Sequence, residues 1–84
     1  MDAGIAFGIV LRQIRLEAGL TQEQLGFEAD LRRTYVSILE LGQQQPSLST
    51  ILKLAAALKL PANELIHLVE AELAKPRRTG RRVV

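Results

Sequence analysis

Thr21 and Gln24 stand three residues apart ahead of a short apolar pattern, in the spacing of a capping box. In that arrangement the Thr hydroxyl accepts the third helical N–H, while the Gln amide reaches back to the N–H of the cap residue. A helix is therefore predicted to begin at Gln22. Leu25 and Ala29 fall one turn apart on its inward face, and Gly26 beside them leaves room for close approach. The helix runs for roughly two turns and ends near Asp30, a residue type that tolerates the left-handed conformation a sharp turn requires. Leu31, Val36 and Leu39 then supply the apolar side of a following helix over residues 33–41, with Gly42 as its stop. Two short helices joined by a tight turn, spanning 21–41, leave Arg32, Arg33, Thr34, Ser37 and Ile38 on the open side of the second.

The remainder reads as helix as well. Phe7, Leu11 and Ile14 repeat at helical spacing before Gly19, which caps a first helix. Ser47, after Pro46, caps a fourth helix carrying Leu48, Ile51, Leu52, Ala55 and Leu58. Pro61 sets the start of a fifth carrying Leu65, Ile66, Leu68, Val69 and Leu73. No segment alternates as a strand, so the expected class is all-α with five helices. At 84 residues and 48% hydrophobic content the chain can close one core and leaves no room for a second, ligand-sensing domain. The chain has no cysteine, hence no disulfide and no thiolate zinc site. No apolar run approaches membrane-span length and no cleavable signal pattern opens the chain, so a cytoplasmic protein is expected.

Charge is unevenly spread. Residues 1–74 hold Arg12, Arg15, Arg32, Arg33, Lys53 and Lys59 against all nine acidic residues, a net −3. Lys75, Arg77, Arg78, Arg81 and Arg82 lie in the last ten residues, broken by Pro76 and Gly80, which a stable helix does not accommodate. The expected organisation is a folded domain over 1–74 and a basic, disordered tail over 75–84. A helix whose open N-terminal end carries Arg32 and Arg33 suits the major groove of DNA. Attraction to phosphates then rests on those arginines and on the tail. The tail itself reads two ways: a DNA-contacting arm using Arg77, Arg78, Arg81 and Arg82, or a solvated terminus that aids solubility.

The stretches IRLEAGLTQEQL, TYVSILELG and PSLSTILKLAAAL resemble the lambda-repressor and Cro type (XRE-like) of helix-turn-helix domain, in that family's order and spacing over about residues 5–68. Within the family, RTYVS is most similar to the controller proteins of restriction-modification systems and other small single-domain regulators. The resemblance implies a lambda-repressor-like fold and a sequence-specific regulator of transcription, such as a repressor, that binds double-stranded DNA as a homodimer.

Site residues follow in part from the resemblance. Gln22 matches a family glutamine that hydrogen-bonds a phosphate, at a helix start whose dipole favours an anion independently. Arg33 sits where the family places a base-reading side chain, and its planar fork suits the O6 and N7 acceptors of guanine. Thr34 and Ser37 reach base edges or phosphates, and Arg32 faces the DNA backbone. Tyr35 resembles a tyrosine whose ring packs while its hydroxyl reaches the backbone; a purely structural role fits it equally. Ile38 stands where relatives often carry a polar base-contacting residue, which leaves it contact with a thymine methyl or simple packing. Gln43, Gln44 and Gln45 lie on a loop that the family lays along the DNA backbone. Arg15 and Glu40 match an arginine and a glutamate that pair across the family core.

Asp30 stands where the family usually has glycine, and Arg32 takes the N-cap where Ser, Thr or Asp is common. Leu41 replaces a frequent arginine and, with Ile9, Val10 and Ile38, leaves more apolar surface than a domain this small must bury, suggesting an interface. A two-fold pair would span half-sites about 34 Å apart, and the expected seam is Leu65, Leu68, Val69 and Leu73 on the fifth helix. A second function class stays open: a helix-turn-helix module used mainly to bind a protein partner, as a co-regulator or antitoxin subunit. Neither metal nor cofactor is expected, since His67 has no second ligand near it in sequence. An enzyme is not expected either, because the chain has no cysteine, a single histidine, no glycine-rich phosphate loop and no pair of carboxylates set in a plausible pocket.

Overall fold

The computed structural model describes residues 1–76 of the chain. Five helices follow in order, with no strand among the described residues: α1 (Ala3–Glu17), α2 (Gln22–Ala29), α3 (Arg33–Glu40), α4 (Leu48–Ala57) and α5 (Ala62–Ala74). None of these helices is long and apolar enough to cross a membrane. The arm residues Arg77, Arg78, Arg81 and Arg82 lie outside the described part.

Each start has a local cause. Asp2 caps α1, its Oδ1 accepting the Ile5 N–H at 2.8 Å. The capping box of α2 is closed, with Thr21 Oγ1 accepting the Gln24 N–H at 3.0 Å and Gln24 Oε1 accepting the Thr21 N–H at 2.9 Å. Ser47 Oγ accepts the Thr50 N–H at 3.2 Å ahead of α4, and Pro61 stands at the N-cap of α5. α3 begins at Arg33, behind an N-cap residue, Arg32, that makes no side-chain capping bond, and closes at Glu40.

One large apolar side chain or more from each helix meets in a single core. Leu11 of α1, Leu25 of α2, Val36 and Leu39 of α3, Leu54 of α4 and Leu65 of α5 are fully buried. Burying a side chain of this size is worth about 1.5–3 kcal/mol, so no helix can detach without exposing its share. α1 packs on α3 and α5, α2 on α3 and α4, and α4 on α5. The crossing of α1 over the C-terminal end of α3 depends on Gly8, where a Cβ would stand 2.5 Å from the Leu39 carbonyl oxygen and 2.6 Å from that of Glu40.

The apolar surface is distributed differently from the sequence expectation in three places. Val10, read as surplus, is only 3% exposed and belongs to the core. Leu65 and Val69, read as a seam between two copies, are buried within the monomer, because they form the α5 stripe that meets the other helices. Leu48 and Leu52 point outward instead, since Thr50, Leu54 and Ala55 form the buried side of α4. Leu68 is half-buried against the core, while Leu73 and Ile66 remain exposed.

Candidate nucleic-acid interface

The turn between α2 and α3 is set by Asp30, whose φ of 58° and ψ of 47° place it in the left-handed region. The Leu31 N–H then donates to the Gly26 carbonyl at 2.7 Å. Gly26 is required there, because a Cβ would lie 2.6 Å from the Leu31 carbonyl oxygen. This geometry directs α3 so that Val36 and Leu39 enter the core while Arg32, Arg33 and Thr34 face solvent.

The open end of α3 is chemically suited to DNA. Its first backbone N–H groups meet no side-chain acceptor, since Arg32 at the N-cap makes no capping bond. A helix N-terminus in that condition carries partial positive charge, reinforced here by two guanidinium groups. Ser37 and Ile38 follow, both half-buried, and Tyr35 packs against the core with part of its surface exposed. Beyond Gly42, Gln43, Gln44 and Gln45 are all exposed.

Behind this face lies a buried side-chain network. Arg15 Nε donates to Glu40 Oε2 at 2.6 Å and Arg15 Nη2 to Glu40 Oε1 at 3.0 Å, with side-chain exposures of 6% and 3%. Arg15 Nη1 donates to the Leu20 carbonyl at 2.8 Å. The hydrogen bonds to Glu40 raise the guanidinium pKa above its ordinary value; burial opposes them, and the carboxylate charge adds to the rise. The two side chains expected to pair thus do so, in bidentate geometry.

Gln22 is half-buried and makes a contact inside the protein that the sequence did not announce. Its Nε2 donates to Glu40 Oε1 at 3.0 Å, so one of its two amide protons is already engaged inside the protein. The partners are eighteen residues apart, and no local pattern marks them as neighbours. Gln22 and Arg33 nonetheless line one cleft, together with Arg15, Thr21 and Glu23. Phe27 was also missed: it is 85% exposed on the outer side of α2, the largest exposure of any large apolar residue described. Its position opposite Leu25 and Ala29 on the helical wheel carries that information. His67 is exposed, and among the described residues no group of three potential metal ligands comes together.

Comparison with known proteins places this architecture. The helix-turn-helix family description matches residues 11–65. Control protein C.BamHI of Bacillus amyloliquefaciens is 43% identical over 63 residues, 74% of this chain and 78% of that protein. Control protein C.MunI of a Mycoplasma species is 38% identical over 72 residues, 84% of this chain and 97% of its own length. Among solved structures, the restriction-modification controller protein C.AhdI from Aeromonas hydrophila superposes with a TM-score of 0.71 at 48% identity, covering 73% of this chain and 92% of that one.

Proposed function

The chain belongs to the helix-turn-helix family, and from that premise we propose that it is a sequence-specific DNA-binding regulator of transcription that acts as a homodimer on an operator near its own or a neighbouring gene. The observation that carries the reading is the uncapped, exposed N-terminal end of α3 with Arg32, Arg33 and Thr34, presented by a turn whose geometry the core enforces. In the complex α3 enters the major groove, Arg33 reads guanine, and Thr34, Ser37 and Ile38 meet neighbouring base edges. Gln22, Arg32, Tyr35, Gln43 and Gln44 hold the backbone on either side. The tail arginines Arg77, Arg78, Arg81 and Arg82 add phosphate contacts as an arm.

A lone α3 reads only a few base pairs, so a two-fold pair is needed to span two half-sites. With Leu65 and Val69 committed to the monomer core, the seam we propose is the flank of α5 carrying Ile66 and Leu73, which are 39% and 42% exposed. Seven residues separate them, which puts both on one side of the helix. Ile66 also lines an apolar depression with Phe7, Ile51 and Val69. Leu73→Glu is expected to give a monomer by sedimentation at micromolar concentration while the helical content stays unchanged.

The function is tested by selecting tight binders from a random duplex pool and repeating the binding across a salt series with Arg33→Ala and with a chain ending at Ala74. A palindromic motif is expected from the full chain. Loss of Arg33 is expected to cost about 1–3 kcal/mol and to relax one base position in each half-site. The shortened chain should show a shallower salt slope. A second reading, a module that chiefly binds a protein partner, is favoured by the exposed Phe27 among Glu23, Gln24 and Glu28, all of them exposed. Selection of no motif, with only weak and salt-sensitive binding, would favour the partner-binding reading.

A further inference from the structure

We propose that Glu40, beyond pairing with Arg15, is a positioning residue that orients the Gln22 carboxamide and thereby fixes one phosphate contact of the DNA-reading face; the inference rests on the DNA-binding reading above. The chemistry of the acceptor imposes the orientation. An ionised carboxylate can only accept hydrogen bonds, so the amide edge facing Glu40 must be the Nε2 edge. One Nε2 proton goes to Glu40 Oε1 at 3.0 Å. The second proton on the same nitrogen remains available beside the N-terminal end of α2, where a phosphate oxygen is favoured.

Without Glu40 the amide would flip freely, and in half of its orientations it would turn its carbonyl oxygen toward the phosphate. Glu40 is itself held, because Arg15 grips both of its oxygens at 2.6 and 3.0 Å and the Leu20 carbonyl holds Arg15 at 2.8 Å. The order of support therefore runs from the α1–α2 loop through α1 and the end of α3 to the first residue of α2. It ties the phosphate anchor on α2 to the base-reading helix α3 by a side-chain bond that the turn does not provide. Pairing with Arg15 also cancels the carboxylate charge, so Glu40 can stand one residue behind a phosphate ligand without repelling DNA. Binding gains from preorganisation, since the Gln22 rotamer is ordered before DNA arrives.

Two measurements on the full chain test the proposal. In the free protein, the Gln22 side-chain amide is followed by NMR: one Nε2 proton is expected away from the ordinary amide position and slow to exchange, and the other is expected to move when the selected operator duplex is added. Two Nε2 protons at the ordinary amide positions and rapidly exchanging, like those of exposed Gln43, would overturn it. The operator is then remade with neutral methylphosphonate at one phosphate at a time. The wild-type chain is expected to lose about tenfold in affinity at one phosphate per half-site, the worth of a charge-assisted hydrogen bond. Gln22→Ala and Glu40→Gln are each expected to bind the unmodified operator about tenfold more weakly and to be indifferent to that same phosphate. Should Glu40→Gln fail to fold, Arg15→Met combined with Glu40→Leu replaces it, because that pair strands no charge. Glu40 variants that keep the wild-type phosphate sensitivity would refute the positioning role while leaving the DNA-binding reading intact. A wild-type chain that selects no operator overturns both.

Discussion

At its C-terminal end α3 places Glu40 in a buried, bidentate pair with Arg15; at its N-terminal end the same helix leaves Arg32, Arg33 and Thr34 in solvent, with no cap and no ion pair among the described residues. The contrast falls within eight residues. One end is satisfied by the protein itself, and the other carries exposed donors and charge that meet water in the free protein and suit an anion. Local rules of helix stability are obeyed where α3 meets α1 and broken where it meets the outside, which is where a binding site is expected. Substitutions at the two ends should therefore separate into effects on folding and effects on binding.

The largest effect belongs to the buried end. Arg15→Met leaves Glu40 without its one charged partner and two of its hydrogen bonds, in a site that water barely reaches, and is expected to cost about 3–5 kcal/mol of unfolding free energy in urea titrations. Arg15→Met with Glu40→Leu should recover most of that loss, since no charge is left unpaired. If the single variant were as stable as the wild type, the two ends of α3 would not differ in the way proposed. At the open end, Arg33→Ala should leave the urea midpoint unchanged while weakening operator binding.

Arg32→Ser inverts the relation between the two properties. A serine at the N-cap can accept the Thr34 or Tyr35 N–H, and the gain is expected to be about 1 kcal/mol of stability. The same change removes a guanidinium from the DNA face and occupies a backbone donor, so operator affinity should fall. Thermal unfolding and binding measured on one preparation would show the opposed signs. A variant that gained both properties would mean that Arg32 does not face DNA.

How far this division was legible in the sequence depends on the range of the interaction. The capping box of Thr21 and Gln24, the Ser47 cap and the turn at Asp30 were readable because each is closed within a few residues. The Arg15–Glu40 pair, twenty-five residues apart, came from family resemblance and not from spacing. The Gln22–Glu40 bond had no such precedent and was missed. Periodicity found the apolar residues of α5 but could not decide which neighbour each one meets. Leu65 and Val69 were therefore assigned to a partner when the monomer itself buries them. Gly8 was likewise invisible, because its role lies in carbonyl groups of a helix more than thirty positions away. Phe27 was legible from the helical wheel, and its exposure is the feature that a binding surface beyond the DNA face would use.

The smallest effect is expected at the joint between the helices. Asp30 holds a left-handed conformation that costs a side-chain-bearing residue more than glycine, and Asp bears it better than most. Asp30→Gly relieves that strain but also frees the unfolded chain, so the two contributions oppose and the net gain is expected to be no more than about 0.5 kcal/mol. Asp30 is exposed and stands two residues before Arg32, on the turn that leads into α3. Its removal should therefore strengthen operator binding slightly at low salt, with the advantage fading as screening increases. An advantage that persisted at high salt would instead mean that the turn angle had changed. In that case the base-reading end of α3 would be adjustable from the turn, and the separation between its two ends would be incomplete.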